Sequence, residues 1–105
     1  MAFQLGDIIE ITESGVLRGI QREIACECWF TSKGKVQPLM LKYQDEQGEI
    51  HTIKEILVHS REEKNLMSSP CTEFNATINC HGIYMEVLLV FYRKESRWVM
   101  ITGKG

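Results

Sequence analysis

Apolar residues occupy every second position from 74 to 80, and polar residues stand between them. A His-Gly pair follows at 81–82, and an apolar run then extends from 83 to 92. Alternation with a period of two predicts a strand with one buried face, and the glycine-containing pair predicts a tight turn. The C-terminal third is therefore predicted to contain an antiparallel hairpin.

The same alternation recurs along most of the chain, with polar or glycine-containing turns at intervals of about 8–12 residues. A short bent segment is predicted at 16–21 and a loop at 66–70. The predicted strands cover residues 7–12, 22–31, 36–45, 49–53, 71–80, 83–92 and 97–102. For the first of these, one helical turn is the alternative, and two adjacent isoleucines favour the strand.

The segment from Thr52 to Leu66 fits two structures. Ile53, Ile56 and Ser60 are spaced as on one face of an amphipathic helix, so one short helix around 53–65 is an alternative. Ile56, Val58 and Ser60 also alternate as in a strand. The β-branched residues and the neighbouring strands favour the strand.

Alternation also assigns side chains to faces in two of the predicted strands. In the strand 22–31, the residues of the core face are Ile24, Cys26, Cys28 and Phe30. In the strand 36–45, Leu39, Leu41 and Tyr43 form the inward set, and Pro38 near its start favours an edge position. The strand 83–92 is apolar on both faces, as Leu88 and Val90 indicate, so something is expected to cover its second face.

These patterns predict an all-β protein, either a small antiparallel meander that forms an SH3-like or similar barrel, or a compact sandwich. The chain has 105 residues, of which 44% are hydrophobic and 25% charged, and this fits one domain spanning residues 1–105 with a core of its own. The SH3-like description is an analogy of architecture, and a fold does not define a function. No motif indicates a particular family.

Charge and hydropathy narrow the classes of partner. The formal net charge of −2 argues against a large basic face for nucleic acid, although a local basic patch is compatible with it. No apolar segment approaches the roughly 20 residues that span a membrane. The first residues lack the basic and apolar regions of a signal peptide, so we expect a cytoplasmic protein without a membrane partner.

The four cysteines raise the question of a metal site. Thiolates bind zinc well, and the weak candidates for ligands are Cys26, Cys28, Cys80 and His81, with His51 and His59 as further donors. Their spacing differs from that of zinc knuckles, and cysteine is among the residue types that are most often buried. We therefore interpret the cysteines as reduced core residues and predict no metal and no cofactor.

No arrangement of residues indicates catalysis. Cys80 and His81 are adjacent, and neighbours on one strand point to opposite faces, so they are not expected to act as a nucleophile and its base. No glycine-rich phosphate motif and no informative pair of carboxylates is present. The sequence predicts no catalytic residue and a protein that is not an enzyme.

A binding surface of aromatic and cationic side chains is the remaining candidate. Its residues are Trp29, Tyr84, Arg93, Lys94, Arg97 and Trp98. Small barrels bind single-stranded nucleic acid by stacking bases on aromatics beside a basic groove, and they bind peptides along edges or aromatic grooves. The competing interpretation is that Trp98 belongs to the core and that Trp29 fills one end of the barrel.

Three functions follow from these observations. The favoured hypothesis is a non-enzymatic module that binds a protein partner or associates with itself. The first alternative is binding of single-stranded nucleic acid through the local basic and aromatic patch. The second is a barrel that binds a small ligand or a metal.

Overall fold

The computed structural model of the protein describes residues 7–11, 17–66 and 68–103. These ranges contain eight β-strands and no helix, so the all-β prediction is confirmed. No described helix could therefore cross a membrane. The strands are β1 (Asp7–Ile11), β2 (Leu17–Phe30), β3 (Val36–Gln44), β4 (Ile50–Ile53), β5 (Ile56–Leu66), β6 (Ser69–Cys80), β7 (Ile83–Tyr92) and β8 (Arg97–Thr102).

All eight strands belong to one antiparallel sheet, in which the order β4-β3-β2-β8-β7-β6-β5 forms the main path. Two runs of hairpins, β2 to β4 and β5 to β8, are joined by the pairing of β2 with β8. The remaining strand, β1, pairs with the first part of β2. Because Ile20 and Gln21 pair with β1 and with β8 at once, β1 lies on the edge of β2 that faces away from β8.

The sheet is curled into a half-barrel. Its end strands in the main path, β4 and β5, are consecutive in the chain and are joined by only Lys54 and Glu55. So short a connection spans at most about 10 Å, which brings the two ends of the sheet together. The backbone N–H of Asn79 on β6 donates to the carbonyl of Glu55 at 3.3 Å. We call the line along which β3 and β4 approach β5 and β6 the seam.

The segment 52–66 is extended throughout, apart from the Lys54-Glu55 connection. Its first part pairs with β3 and its second part with β6, so this stretch of chain crosses the seam. Pairing with β6 outweighs the helical spacing, because each pair satisfies main-chain groups and buries Ile56 and Val58 partly against the core. The alternative of a short helix around 53–65 is wrong.

Two bulges shift the phase of side-chain alternation. Met40 pairs with Glu27 and Pro38 with Cys28, so Leu39 is an extra residue in β3. Leu39 was predicted to point inward but is only half-buried, whereas Pro38 is fully buried. Pro38 also lies beyond the stretch of β3 that pairs with β4, which agrees with its predicted edge position. A second bulge lies in β5, at the residue after Val58.

Three further expectations are corrected. The bent segment predicted at 16–21 belongs, from Leu17 onwards, to the continuous 14-residue strand β2. The loop predicted at 66–70 is shorter, because β6 already begins at Ser69. Phe30 lies on the core face as predicted, since it pairs with buried Val36 and its ring contacts that of Phe91 edge-on, but it is 60% exposed rather than buried.

The main core lies inside the curl of the sheet. Trp98 is central to it, with its ring 5.7 Å from that of Phe74 and 5.0 Å from that of Phe91. Aromatic pairs of this kind stabilise a core beyond the area they bury. The buried members of the main core are Ile24, Val36, Leu41, Tyr43, Ile53, Phe74, Ala76, Ile78, Val87, Leu89, Phe91, Trp98 and Met100.

A second cluster lies on the outer face of the sheet and contains Cys71, Val90, Val99 and Ile101, with Leu88 and Tyr92 packed against them. The strand β7 is therefore apolar on both faces, as its sequence predicted. Val90 and Val99 are completely buried within the single chain. The second face of β7 is thus covered at these positions by the chain itself.

Candidate functional site

The predicted patch of aromatic and cationic residues is divided between two ends of the sheet. Tyr84 is the second residue of β7, and Arg93 follows the end of the same strand. A ten-residue strand extends over about 30 Å, so the two side chains are far apart. Tyr84, Arg93 and their neighbours do not form one surface.

The two arginines of this patch already have acidic or aromatic partners. Arg93 pairs with Glu63 and also donates to the hydroxyl of Thr72 at 3.0 Å. Arg97 donates through Nε to Glu95 at 3.1 Å, and its guanidinium lies 4.6 Å from the centre of the Tyr92 ring. A nucleic-acid phosphate would have to compete with these carboxylates for the same cations.

The remaining members of the patch differ in exposure. Lys94 is exposed in the turn between β7 and β8. Trp98 is only 5% exposed and belongs to the main core, so it offers no ring to a ligand. Trp29, near the end of β2, is 66% exposed.

Two large apolar side chains, Leu57 and Tyr84, are instead exposed on the outer face of β5, β6 and β7 and line the same groove. Leu57 is 64% exposed and Tyr84 is 69% exposed. Both line a groove of about 340 Å³. The complete lining of this groove, which we call the outer groove, is Glu55, Ile56, Leu57, Thr77, Asn79 and Tyr84.

Strand register explains why these side chains share a face. Leu57 pairs with Thr77, and Asn79 pairs with Tyr84. Paired residues lie on the same face of a sheet, and so do residues two apart on one strand, so all four point outward together. The side-chain amide of Asn79 donates to Glu55 at 2.7 Å, which fixes a polar rim beside the apolar pair.

A second constellation lies on the seam, at the end of the sheet where β6 turns into β7. His51 of β4, Cys80 at the end of β6 and His81 in the turn place their potential ligand atoms within 4.8 Å of one another. His51 Nδ1 and His81 Nε2 are 3.0 Å apart. We call these three residues the seam cluster.

Cys80 and His81 were predicted to point to opposite faces, and for this pair the prediction is wrong. Alternation of faces holds for consecutive residues in regular strand conformation, and His81 has a φ of 54°. Gly82 follows with a φ of 87°, and two successive positive φ values are typical of a type I′ hairpin turn. The turn breaks the alternation, and the His81 ring therefore lies on the side of Cys80 and His51.

Two further residues hold the seam cluster in place. Asp45 Oδ2 accepts a hydrogen bond from His51 Nε2 at 2.7 Å, and this bond is the main reason that the pKa of Asp45 lies below its ordinary value. The Tyr43 ring stacks on His51 with 5.0 Å between centres, and its hydroxyl lies 3.4 Å from Cys80 Sγ. Burial raises the pKa of Tyr43 to about 12, so this hydroxyl is neutral.

The other cysteines lie elsewhere. Cys26 and Cys28 are half-buried against the main core, and Cys71 is fully buried in the second cluster. Burial raises the pKa of Cys26 to about 12 and also raises that of Cys28, so both stay protonated at neutral pH. Among the described residues, neither Cys26 nor Cys28 belongs to a group of three or more metal-ligating side chains.

Comparison of the chain with protein families, with curated proteins and with solved structures finds no match.

Sequence reasoning named Tyr84, Cys80, His81 and His51 but did not combine them as the fold does. It did not name Leu57 as a site residue, because in the alternative helix Leu57 shares the apolar face with Ile53 and Ile56. The signal that could have identified Leu57 as exposed is the alternation of Ile56 and Val58. If these two residues point inward in a strand, Leu57 points outward.

Proposed function

We propose that the protein is a non-enzymatic β module that binds a protein partner through the outer groove. The observation that carries this proposal is the juxtaposition of Leu57 and Tyr84, which are both more than 60% exposed and line one concave surface. Exposed leucine and tyrosine side chains in a groove are typical anchors of protein interfaces, where a few well-placed residues provide most of the affinity.

The rim of the groove defines the chemistry of the partner. Glu55 lines the groove, and exposed Glu86 receives a hydrogen bond of 2.8 Å from the hydroxyl of Thr77, another lining residue. A segment that inserts an apolar side chain between Leu57 and Tyr84 and carries an adjacent lysine or arginine matches both features. We therefore propose a partner segment with a basic residue next to its apolar anchor.

Addition of a partner strand to the edge of β5 is less favourable. The bulge at His59 interrupts the regular edge, and the four residues from Arg61 to Lys64 are all charged. Bulges and charged side chains are devices that protect edge strands from pairing with other chains. The proposed contact is thus made by side chains of the outer face.

Self-association is the alternative occupant of the same groove. A second copy of the chain could have covered the outer apolar face of β7, but the chain itself covers that face at Val90 and Val99. A partner of another sequence is therefore the favoured occupant, and a second copy is an outcome that the experiment below can reveal. We propose a cytoplasmic location, since Cys26, Cys28 and Cys80 are thiols that form no disulfide bond.

Site-specific photocrosslinking tests the proposal. A photoreactive phenylalanine derivative replaces Tyr84 in one variant and Trp29 in a control variant. The two aromatic residues are matched in exposure, at 69% and 66%, but Trp29 lies outside the outer groove. Crosslinking in the cells from which the gene comes, followed by mass spectrometry, should give a discrete protein adduct from position 84 and none from position 29.

Leu57→Asp, introduced beside the crosslinker at position 84, should abolish the adduct because a charge would enter the apolar groove. Circular dichroism checks that this variant is folded. An adduct with a second copy of the chain would identify self-association. Equal adducts from both positions, an adduct with nucleic acid, or no adduct at position 84 would refute the proposal.

A further inference from the structure

The seam cluster combines two imidazoles and one thiol at short range. Its ligand atoms lie within 4.8 Å of one another, and the two ring nitrogens are separated by 3.0 Å. Around a tetrahedral zinc ion, bond lengths of about 2.0–2.3 Å place neighbouring ligand atoms roughly 3.3–3.7 Å apart. Only small side-chain shifts separate the observed arrangement from that spacing.

From this arrangement we infer that His51, Cys80 and His81 bind one Zn²⁺ ion. Imidazole nitrogen and thiolate sulfur are the donors that zinc favours, whereas calcium and magnesium require oxygen ligands. Three protein ligands leave a fourth position for water or another small donor. The exposure of His81, which also lines a depression of about 360 Å³, gives solvent access to this side of the cluster.

Asp45 supplies the support that zinc-binding histidines ordinarily have. Such histidines donate their second ring nitrogen to a carboxylate or carbonyl, which sets the tautomer and the ring orientation. Here His51 Nε2 donates to Asp45 Oδ2, so that the lone pair of Nδ1 is directed towards His81. Asp45 is itself held by the turn between β3 and β4, because its Oδ1 accepts the backbone N–H groups of Gln47 and Glu49 at 2.9 Å each.

Two other uses of these residues fit the contacts less well. Asp45, Glu49 and His51 also form a compact group, but both oxygens of Asp45 are already engaged and Glu49 is exposed. A nucleophilic cysteine would need a ring nitrogen as its base. Cys80 Sγ is instead hydrogen-bonded with the hydroxyl of Tyr43, and His51 Nδ1 with His81 Nε2.

The position of the cluster gives the ion a structural consequence. His51 belongs to β4, whereas Cys80 ends β6 and His81 follows it, on the other side of the seam. A single ion bound to all three would connect the two ends of the curled sheet. Because binding to the folded state stabilises it by mass action, zinc is expected to raise the melting temperature of the whole domain.

Titration of the reduced full-length chain with Co²⁺ and then Zn²⁺ tests the inference. Cobalt should produce visible ligand-field bands and a near-ultraviolet thiolate charge-transfer band, both removed by one equivalent of Zn²⁺. Native mass spectrometry should find one zinc per chain. At a hundredfold excess of free Zn²⁺ over its Kd, the Tm should rise by at least about 5 °C and return with chelator.

Matched variants assign the ligands. Cys80→Ser should remove the charge-transfer band, and His51→Gln or His81→Gln should weaken zinc binding at least about 10-fold. Asp45→Asn should weaken it by about 10–100-fold with the band retained, as expected of a residue that positions a ligand. Cys28→Ser and His59→Gln, which alter the same residue types outside the cluster, should change neither signal.

Circular dichroism in the absence of metal establishes that each variant is folded. The inference is overturned if wild-type protein gives no thiolate band, if the band survives Cys80→Ser, or if the control variants lose as much affinity as the cluster variants. These outcomes are independent of crosslinking at position 84, so the zinc site and the proposed partner surface can fail separately.

Discussion

The Nδ1 atom of His51 lies 3.0 Å from the Nε2 atom of His81, although 30 residues separate the two histidines in the chain. His51 belongs to β4 at one end of the main path of the sheet, and His81 follows β6 near the other end. Their contact exists because the sheet curls and its ends meet at the seam. It is therefore a local measure of how tightly the half-barrel closes.

Trp98 is expected to be a main source of core stability. Trp98→Ala should lower the free energy of unfolding by about 3–5 kcal/mol, because it removes a buried ring that packs on Phe74 and Phe91. Urea denaturation measures the change. Trp29→Ala is the control, and it should alter stability by no more than about 0.5 kcal/mol because Trp29 is mostly exposed. Equal losses from the two substitutions would contradict the assignment of Trp98 to the core.

Arg61 is expected to hold the seam at the opposite end from the histidines. Its guanidinium donates to the carbonyl of Val36 on β3 and lies 5.1 Å from the centre of the Phe74 ring. Arg61→Met should cost about 1–3 kcal/mol, since the partly buried carbonyl loses its charged donor. Hydrogen exchange should then speed up in β5 more than in β8.

The control for this prediction is Lys33→Met in the exposed turn between β2 and β3. It removes one positive charge without touching the seam and should change stability by no more than about 0.5 kcal/mol. If Lys33→Met and Arg61→Met are equally destabilising, the contact between Arg61 and Val36 does not contribute to closure.

Gly82 is required by the geometry of the turn after β6. Its φ of 87° is costly for a residue with a side chain, although a Cβ atom there would meet no other atom within 4 Å. Gly82→Ala should therefore cost about 1–2 kcal/mol through the backbone alone. It should also broaden the NMR signals of His81. Gly103→Ala, at a position without a positive φ and with equally open space, should leave stability unchanged or slightly raised.

Alkaline pH should lower the stability of the fold because the Cys26 thiol releases its proton more easily in the unfolded state. Burial raises the pKa of Cys26 from its ordinary value of 9.0 to about 12, so the folded state keeps a proton that the unfolded state releases. The folded state binds more protons in this range, and stability is therefore lost as the pH rises from about 9 towards 12. Urea denaturation at pH 8 and pH 10 should show a smaller loss for Cys26→Ala than for wild type. Equal losses would show that the Cys26 thiol makes no contribution.

Local patterns predicted most of the strands because side-chain alternation is a property of the backbone of a single strand. The stretch from Phe74 to Ile78 was assigned correctly inward at every second residue, and the apolar character of both faces of β7 was visible in Leu88 and Val90. The turn at Gly82 was also predicted from the sequence, since few residues other than glycine tolerate a positive φ.

Features that depend on a second strand were not predictable in this way. Leu39 sits in a bulge, and its place is set by the register between β2 and β3 rather than by its own neighbours. The burial of Trp98 likewise depends on its neighbours, because its ring packs on Phe74 and Phe91 of other strands.

The sequence by itself thus determined the all-β class and the approximate positions of the strands. Its net charge of −2 also argued against a large basic face. The tertiary structure alone decided that Leu57 and Tyr84 line one groove and that His51 lies beside Cys80 and His81. The physical reason is that alternation tells which residues share a face, whereas sheet order, bulges and curl decide which faces from distant parts of the chain come together.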